Sequence, residues 1–287
     1  MRESRGTRKV ARAHGHLPGH RPTPANSGRA EPRFGARLTH AAICDLAYTG
    51  SMAEKPPAPG STSREVVISL PFTGLWLARN SPARRVPSHG SDLLGERYAI
   101  DFIGVDEHRR TADRRDWRTF LATEPPERFY AFGRPLLAPA DGTVVDVHDG
   151  EIDHAGRRSQ LSLVPYALGQ MGRLRQGVGA VAGNYLIIAL RDSDAFLALA
   201  HLRAGSVRVA VGDTVTTGQP VADCGNSGNS TQPHVHVQVM DSADLSVARG
   251  VPMAFRRFRE RPHGTRQFQI RESGIPAEEA VVEPLPF

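Results

Sequence analysis

From Pro135 to Val239 the chain consists of short apolar runs set between glycine, proline and aspartate turns, and this spacing constrains the fold more than any other feature. Residues 143–147 follow the turn Pro139-Ala140-Asp141-Gly142. Residues 184–190 and 195–202 flank a second turn at Asp192-Ser193-Asp194. Then come Gly212-Asp213-Thr214-Val215, residues 218–222 and residues 234–239. Runs this short, with turn residues at both ends, read as strands. There is no internal repeat and no alternation of strand and helix. The expected fold is therefore all-β, an antiparallel sandwich or barrel-like domain with loop insertions. Upstream, residues 66–70 and 97–103 read as further strands. Residues 106–130 are highly charged and residues 149–182 are polar and glycine-rich, so both read as insertions.

Composition matters where it locates the charge. The formal net charge is +6, but residues 1–64 hold eleven Lys and Arg against four Asp and Glu. The basic excess therefore lies in the leader, and the rest is close to neutral. A basic groove for a nucleic-acid backbone is not expected. The leader lacks large apolar residues and reads as disordered. Its histidines (His14, His16, His20, His40) stand in no regular ligand spacing, and Met52 is a candidate for the true start. Residues 65–260 are expected to form the folded domain and residues 261–287 a C-terminal tail. No run of about 18 apolar residues predicts a membrane span, and no signal-like apolar segment follows the basic start. The two cysteines, Cys44 and Cys224, form no CxxC pair, and Cys224 reads as a small buried filler.

The strongest local chemical signal is Pro233-His234-Val235-His236-Val237-Gln238-Val239. Strand side chains alternate with period two, so His234, His236 and Gln238 share one face and the valines the other. Two imidazoles side by side can reach one metal ion; the plainer alternative is a solvated polar face. His201 ends an apolar run, which suits a metal site or a satisfied half-buried histidine. Asp101 lies among Tyr98, Ile100 and Phe102, where a carboxylate is costly unless paired with a cation, Arg97 or a metal.

These residues fall within a series of motifs. Residues 137–144 (LAPADGTV), Gly183-Asn184-Tyr185-Leu186-Ile187-Ile188, Ala200-His201-Leu202, residues 211–219 (VGDTVTTGQ) and Gly225-Asn226-Ser227-Gly228 followed by Pro233-His234-Val235-His236 occur in one order. Together they resemble the lysostaphin/LytM type of peptidoglycan metalloendopeptidase, over about residues 86–240. The resemblance implies a zinc centre, a bacterial peptidoglycan substrate and a cell-envelope or extracellular location. It implies Asp101 and His236 as metal ligands, and His201 and His234 as the catalytic pair beside the zinc. The family's first ligand lies four positions before the aspartate, where this chain has Arg97. His89, in Ser88-His89-Gly90, takes that role by resemblance to members with an intervening loop, and His108 is the alternative. Two histidines and an aspartate leave a coordination position open, as catalytic zinc requires. A non-catalytic wall-binding or hydrolase-activating module is the competing reading. A lipoyl-type carrier is disfavoured, since the only lysines are Lys9 and Lys55 in the leader. Gly-Gly bridges and D-Ala–diaminopimelate links both remain open as the cleaved bond.

Overall fold

The structure is a computed structural model that describes residues 65–159 and 178–286. The expectations for the leader and for residues 160–177 of the second insertion lie outside the described residues.

The fold is mainly β, as expected. Its strands are β1 (Val66–Ile68), β2 (Trp76–Arg79), β3 (Ile100–Gly104), β4 (Pro135–Leu137), β5 (Gly142–His148), β6 (Asn184–Leu190), β7 (Phe196–Leu202), β8 (Thr214–Val215), β9 (Pro220–Asp223), β10 (Val235–Met240), β11 (Met253–Arg261), β12 (Gln269–Gly274) and β13 (Val281–Pro284). Two short helices, α1 (Trp117–Leu121) and α2 (Val178–Ala182), fall inside the two predicted insertions. One sheet runs β1-β11-β13-β2-β3-β10-β7-β6-β5-β8, with β12 also on β11, and β4 pairs with β9 separately. The sheet is mixed and not wholly antiparallel, because β1 and β11 run parallel.

Alternation along the central strands builds the core on one face. Ile100 and Phe102 of β3, Leu186 and Ile188 of β6, Leu197 and Leu199 of β7, and Val235, Val237 and Val239 of β10 all pack together. Leu136 of β4 and Val221 and Ala222 of β9 join the same cluster, so the small sheet covers that face. The opposite face is left for the polar members of β3 and β10. Pairing places His236 opposite Asp101 on one side and opposite Ala200 on the other.

The domain does not close at residue 260. Residues 269–284 supply β12 and β13, and β13 lies between β11 and β2. Ala280, Val281 and Val282 are fully buried, so the last part of the expected C-terminal tail lies inside the sheet, while β12 is an exposed strand on its side. Cys224 is buried as expected, and that burial pushes its thiol far up from its ordinary range. Only the thiolate is nucleophilic, so Cys224 should not react with an aromatic disulfide reagent in the folded protein. It should react within minutes in denaturant; rapid labelling of Cys224 under native conditions, located by peptide mapping, would contradict this.

Candidate metal and catalytic centre

The geometry of β10 follows from its sequence. Valine at every second position fixes the core face, and His236 and Gln238 must then point the other way. Asp101 faces the same side, because its neighbours Ile100 and Phe102 are committed to the core. His89 reaches this point from a loop. The Ser88 N–H donates to the Arg97 carbonyl at 3.0 Å and closes the intervening residues into a compact turn. The eleven residues between His89 and Asp101 therefore cost no spatial separation: His89 Nε2 is 3.2 Å from Asp101 Oδ2. His236 Nδ1 lies 3.0 Å from Asp101 Oδ1. Donor atoms of His89, Asp101 and His236 all lie within 4.8 Å of one another. His108 is exposed in the 106–110 turn and takes no part in this cluster.

Surrounding hydrogen bonds set which ring nitrogens face inward. The Gln238 amide donates to the Leu94 carbonyl at 2.7 Å, which turns its oxygen toward His236 Nε2 at 2.8 Å. His236 Nε2 must then carry a proton, leaving Nδ1 for the cluster. Ser88 donates its hydroxyl proton to the Glu96 carbonyl, so its oxygen accepts from His89 Nδ1 at 3.0 Å and His89 Nε2 is bare. Asn80 donates to Asp101 Oδ2 at 2.8 Å. Two bare imidazole nitrogens and a carboxylate thus converge, and a cation must sit among them to relieve the repulsion. A proton or a divalent ion satisfies this, and the nitrogen–nitrogen–oxygen set suits zinc. Outer hydrogen bonds of this kind fix ligand orientation in metal sites.

The electrostatics agree. Burial alone would raise Asp101, but His89, His234 and the bond from His236 outweigh it and hold the carboxyl well below its usual range. Burial alone would lower His236, but the bond and charge of Asp101 push it up to about 9. That imidazolium belongs to the metal-free protein, where a proton occupies the place of the ion.

His201 and His234 sit beside the cluster. Their ring centroids are 4.6 Å apart, and His234 Nε2 is 3.6 Å from Asp101 Oδ1. His201 arrives through a β-bulge. Asn184 pairs with Leu202 and Tyr185 with Ala200, so His201 is the extra residue, with φ at 61°. A regular strand would turn it to the core, away from Ala200. The bulge lets both Ala200 and His201 line the cleft while Leu202 returns to the core. The His201 Nδ1–H donates to the Ser227 carbonyl at 3.0 Å, and the His234 Nδ1–H to the Gln232 carbonyl at 2.8 Å. A carbonyl only accepts, so both rings keep Nε2 unprotonated. Burial drives His201 well below its ordinary value, with His234 and His236 adding to the effect. Burial also lowers His234, against the pull of Asp101. Both are neutral imidazoles at pH 7, each with one free lone pair.

The Ser227 carbonyl is held in place by a close backbone crossing. Gly183 has φ at 65°, and a Cβ there would meet Ser227 Oγ at 2.5 Å and Gly228 N at 2.7 Å. Only glycine allows the 225–230 loop to lie this close to α2. The resulting cleft, open to solvent, is lined by all five histidine and aspartate residues of the centre. Asn80 and the bulge at His201 escaped the sequence reading. Asn80 follows a strand and has φ at 50°, and its one trace in sequence is that asparagine tolerates this conformation.

Comparison with known proteins bears on this site. The catalytic domain of lysostaphin from Staphylococcus simulans is 21% identical, over 53% of this chain and 74% of that one, with a TM-score of 0.30. A mutant catalytic domain of the prophage-encoded M23 protein EnpA from Enterococcus faecalis is 19% identical, over 68% and 93%, with a TM-score of 0.31. LytU is 20% identical, over 69% and 88%, also with a TM-score of 0.31. Scores this low carry no assignment. No curated protein matches. Residues 128–247 match peptidase family M23, a span that holds His201, His234 and His236 and leaves His89 and Asp101 upstream. Over residues 128–247, less than half of its length, the chain is similar to peptidase family M23.

Proposed function

We propose that the chain is a zinc-dependent endopeptidase that cuts peptide cross-links or stem peptides of bacterial peptidoglycan, acting in the cell envelope or outside the cell. The observation that carries this reading is the convergence of five side chains in one cleft, three able to hold a metal and two neutral imidazoles beside them. In this reading His89, Asp101 and His236 hold zinc. The ion, when bound, supplies a Lewis acid for a peptide carbonyl and lowers the pKa of water. His201 and His234 present Nε2 to the same space. Each can accept a proton there and return it to a leaving amine, and each is kept in the right tautomer by its carbonyl partner. Among the described residues no helix is long and apolar enough to cross a membrane.

The test is a time course on purified peptidoglycan of several wall types, with new peptide ends identified by mass. Zinc-loaded protein should release them, chelator should stop release, and zinc should restore it. His201→Ala and His234→Ala should each keep zinc and lose about two orders of magnitude or more in rate, the usual scale for a general acid–base group. Protein that binds zinc and wall but releases no ends from any wall type would instead be the non-catalytic module.

A further inference from the structure

We propose that Glu96 is a specificity-determining residue of this cleft, taking a protonated amine that the substrate carries beside the cleaved bond. This rests on the peptide-cleaving reading above. Glu96 lines the cleft together with His89, His236 and Gln238. Among the described residues its carboxylate has no hydrogen-bond or ion-pair partner. The cation next to it in sequence is already engaged: Arg97 Nη1 donates to both oxygens of Asp92 at 2.7 Å on the outer side of the turn. Asp101, the other acid of the cleft, is surrounded by His89, His234 and His236. Glu96 is thus the one lining carboxylate without a direct hydrogen-bond or ion-pair partner among the described residues, its charge reaching His236 only through space.

Its position is fixed by the backbone and is not that of a loose surface chain. The turn Leu93–Tyr98 carries two left-handed residues, Leu94 at φ 56° and Gly95 at φ 78°. The Leu94 carbonyl is bound by Gln238, the residue that also orients His236. A Cβ on Gly95 would meet Gln238 Nε2 at 3.1 Å and Met240 Cβ at 3.2 Å, so the turn lies directly on β10. The Glu96 carbonyl accepts from the Ala99 N–H at 3.0 Å and from Ser88 Oγ at 3.1 Å. The donor atoms within 4.8 Å of one another do not include Glu96, which separates it from the metal ligands. Nearby walls are apolar, with Leu94, Val181, Ala198 and Leu245. A carboxylate held between such walls and a cationic centre attracts an ammonium group and repels a second carboxylate.

The experiment uses full-length, zinc-loaded protein and a fluorescent stem-like peptide with one side-chain amine and one α-amine. Two further peptides have one or the other amine acetylated. Affinity is read by anisotropy, and cleavage is followed separately by mass. Wild-type protein should bind the free-amine peptide about tenfold more tightly than one of the two acetylated forms, as a charge-assisted contact allows. Which acetylation matters tells the side-chain amine from the α-amine. Glu96→Gln should bring all three affinities within about twofold, with zinc content unchanged, and Glu96→Asp should keep part of the preference. Equal binding of all three peptides by wild-type protein, or an undiminished preference in Glu96→Gln, would overturn the proposal. An intact preference without cleavage of any peptide would sink the peptidase reading and leave Glu96 standing as a binding residue.

Discussion

Asp101→Ala is expected to take the zinc content of the purified protein from about one ion per chain to none. Asp101 is the centre of the cluster, since His89, His236 and His234 all approach its two oxygens within 3.6 Å. Without it the only negative ligand is gone, and two imidazoles alone make a weak and poorly oriented site. The variant should also change the metal-free protein. His236 there sits at about 9 because Asp101 holds its proton, so the pair's stabilisation through His236 is complete below the unfolded value near 6.5 and is lost as pH rises through about 9. The Asp101 share has the opposite sense: it is present above the unfolded carboxylate value and is lost as pH falls through the depressed folded one. Zinc held at the proposed site would displace the proton on His236 Nδ1, so its binding is expected to release protons and to strengthen as pH rises toward 9. Metal analysis and calorimetry in buffers of different ionisation enthalpy measure both effects. One zinc retained by Asp101→Ala would move the site elsewhere.

Sequence made the central strands legible because their alternation is regular. Residues 184–190 come out as the strand itself, and residues 234–239 differ from β10 by one position at each end. Two strands that the reading missed, β11 and β2, were missed for physical reasons. In β11 the buried residues Phe255 and Phe258 are three apart, so no regular strand can turn both inward. Arg257, with φ at 43°, absorbs the mismatch, and its run of arginines hides the strand. β2 has only four residues, Trp76–Arg79, and looks like the edge of a turn.

The site shows the same division. That His234, His236 and Gln238 share a face needed nothing beyond strand geometry. That His89 stands beside Asp101 depends on the left-handed pair Leu94 and Gly95 and the Ser88–Arg97 bond, which residue spacing does not display. His201 presents a harder case. Parity along β7 puts it on the wrong face, and only the bulge turns it to the cleft. The motif resemblance located both residues without supplying the geometry, and it could not locate Asn80 at all.

A chain ended after Gly274 should not fold cooperatively, although it keeps every residue of the proposed metal and catalytic centre. The sheet is the reason. β13 pairs with β11 on one side and β2 on the other, and β2 in turn pairs with β3, which carries Asp101. Removing β13 leaves β2 and β11 with open edges in the middle of the sheet, where unpaired backbone groups are costly. It also uncovers Trp76 and Phe258, both fully buried, and discards Val281 and Val282. Burial of each large apolar side chain stabilises by about 1.5–3 kcal/mol. Four such side chains amount to a loss of roughly 6–12 kcal/mol, against a whole-domain stability of about 5–15 kcal/mol. The truncated chain should therefore show no sharp melt and should lose the fluorescence of a buried tryptophan at Trp76, which stacks on Phe72 at 4.5 Å in the native fold. Full-length Val282→Ala is the graded control. It removes apolar contact without opening the sheet, and should lower the melting temperature by roughly 2–4 °C for each kcal/mol lost. Its zinc content should remain at one. A truncated chain that melts as sharply as the full one would show that the domain closes near residue 260 after all, and that β13 is an appendage to a sheet complete without it.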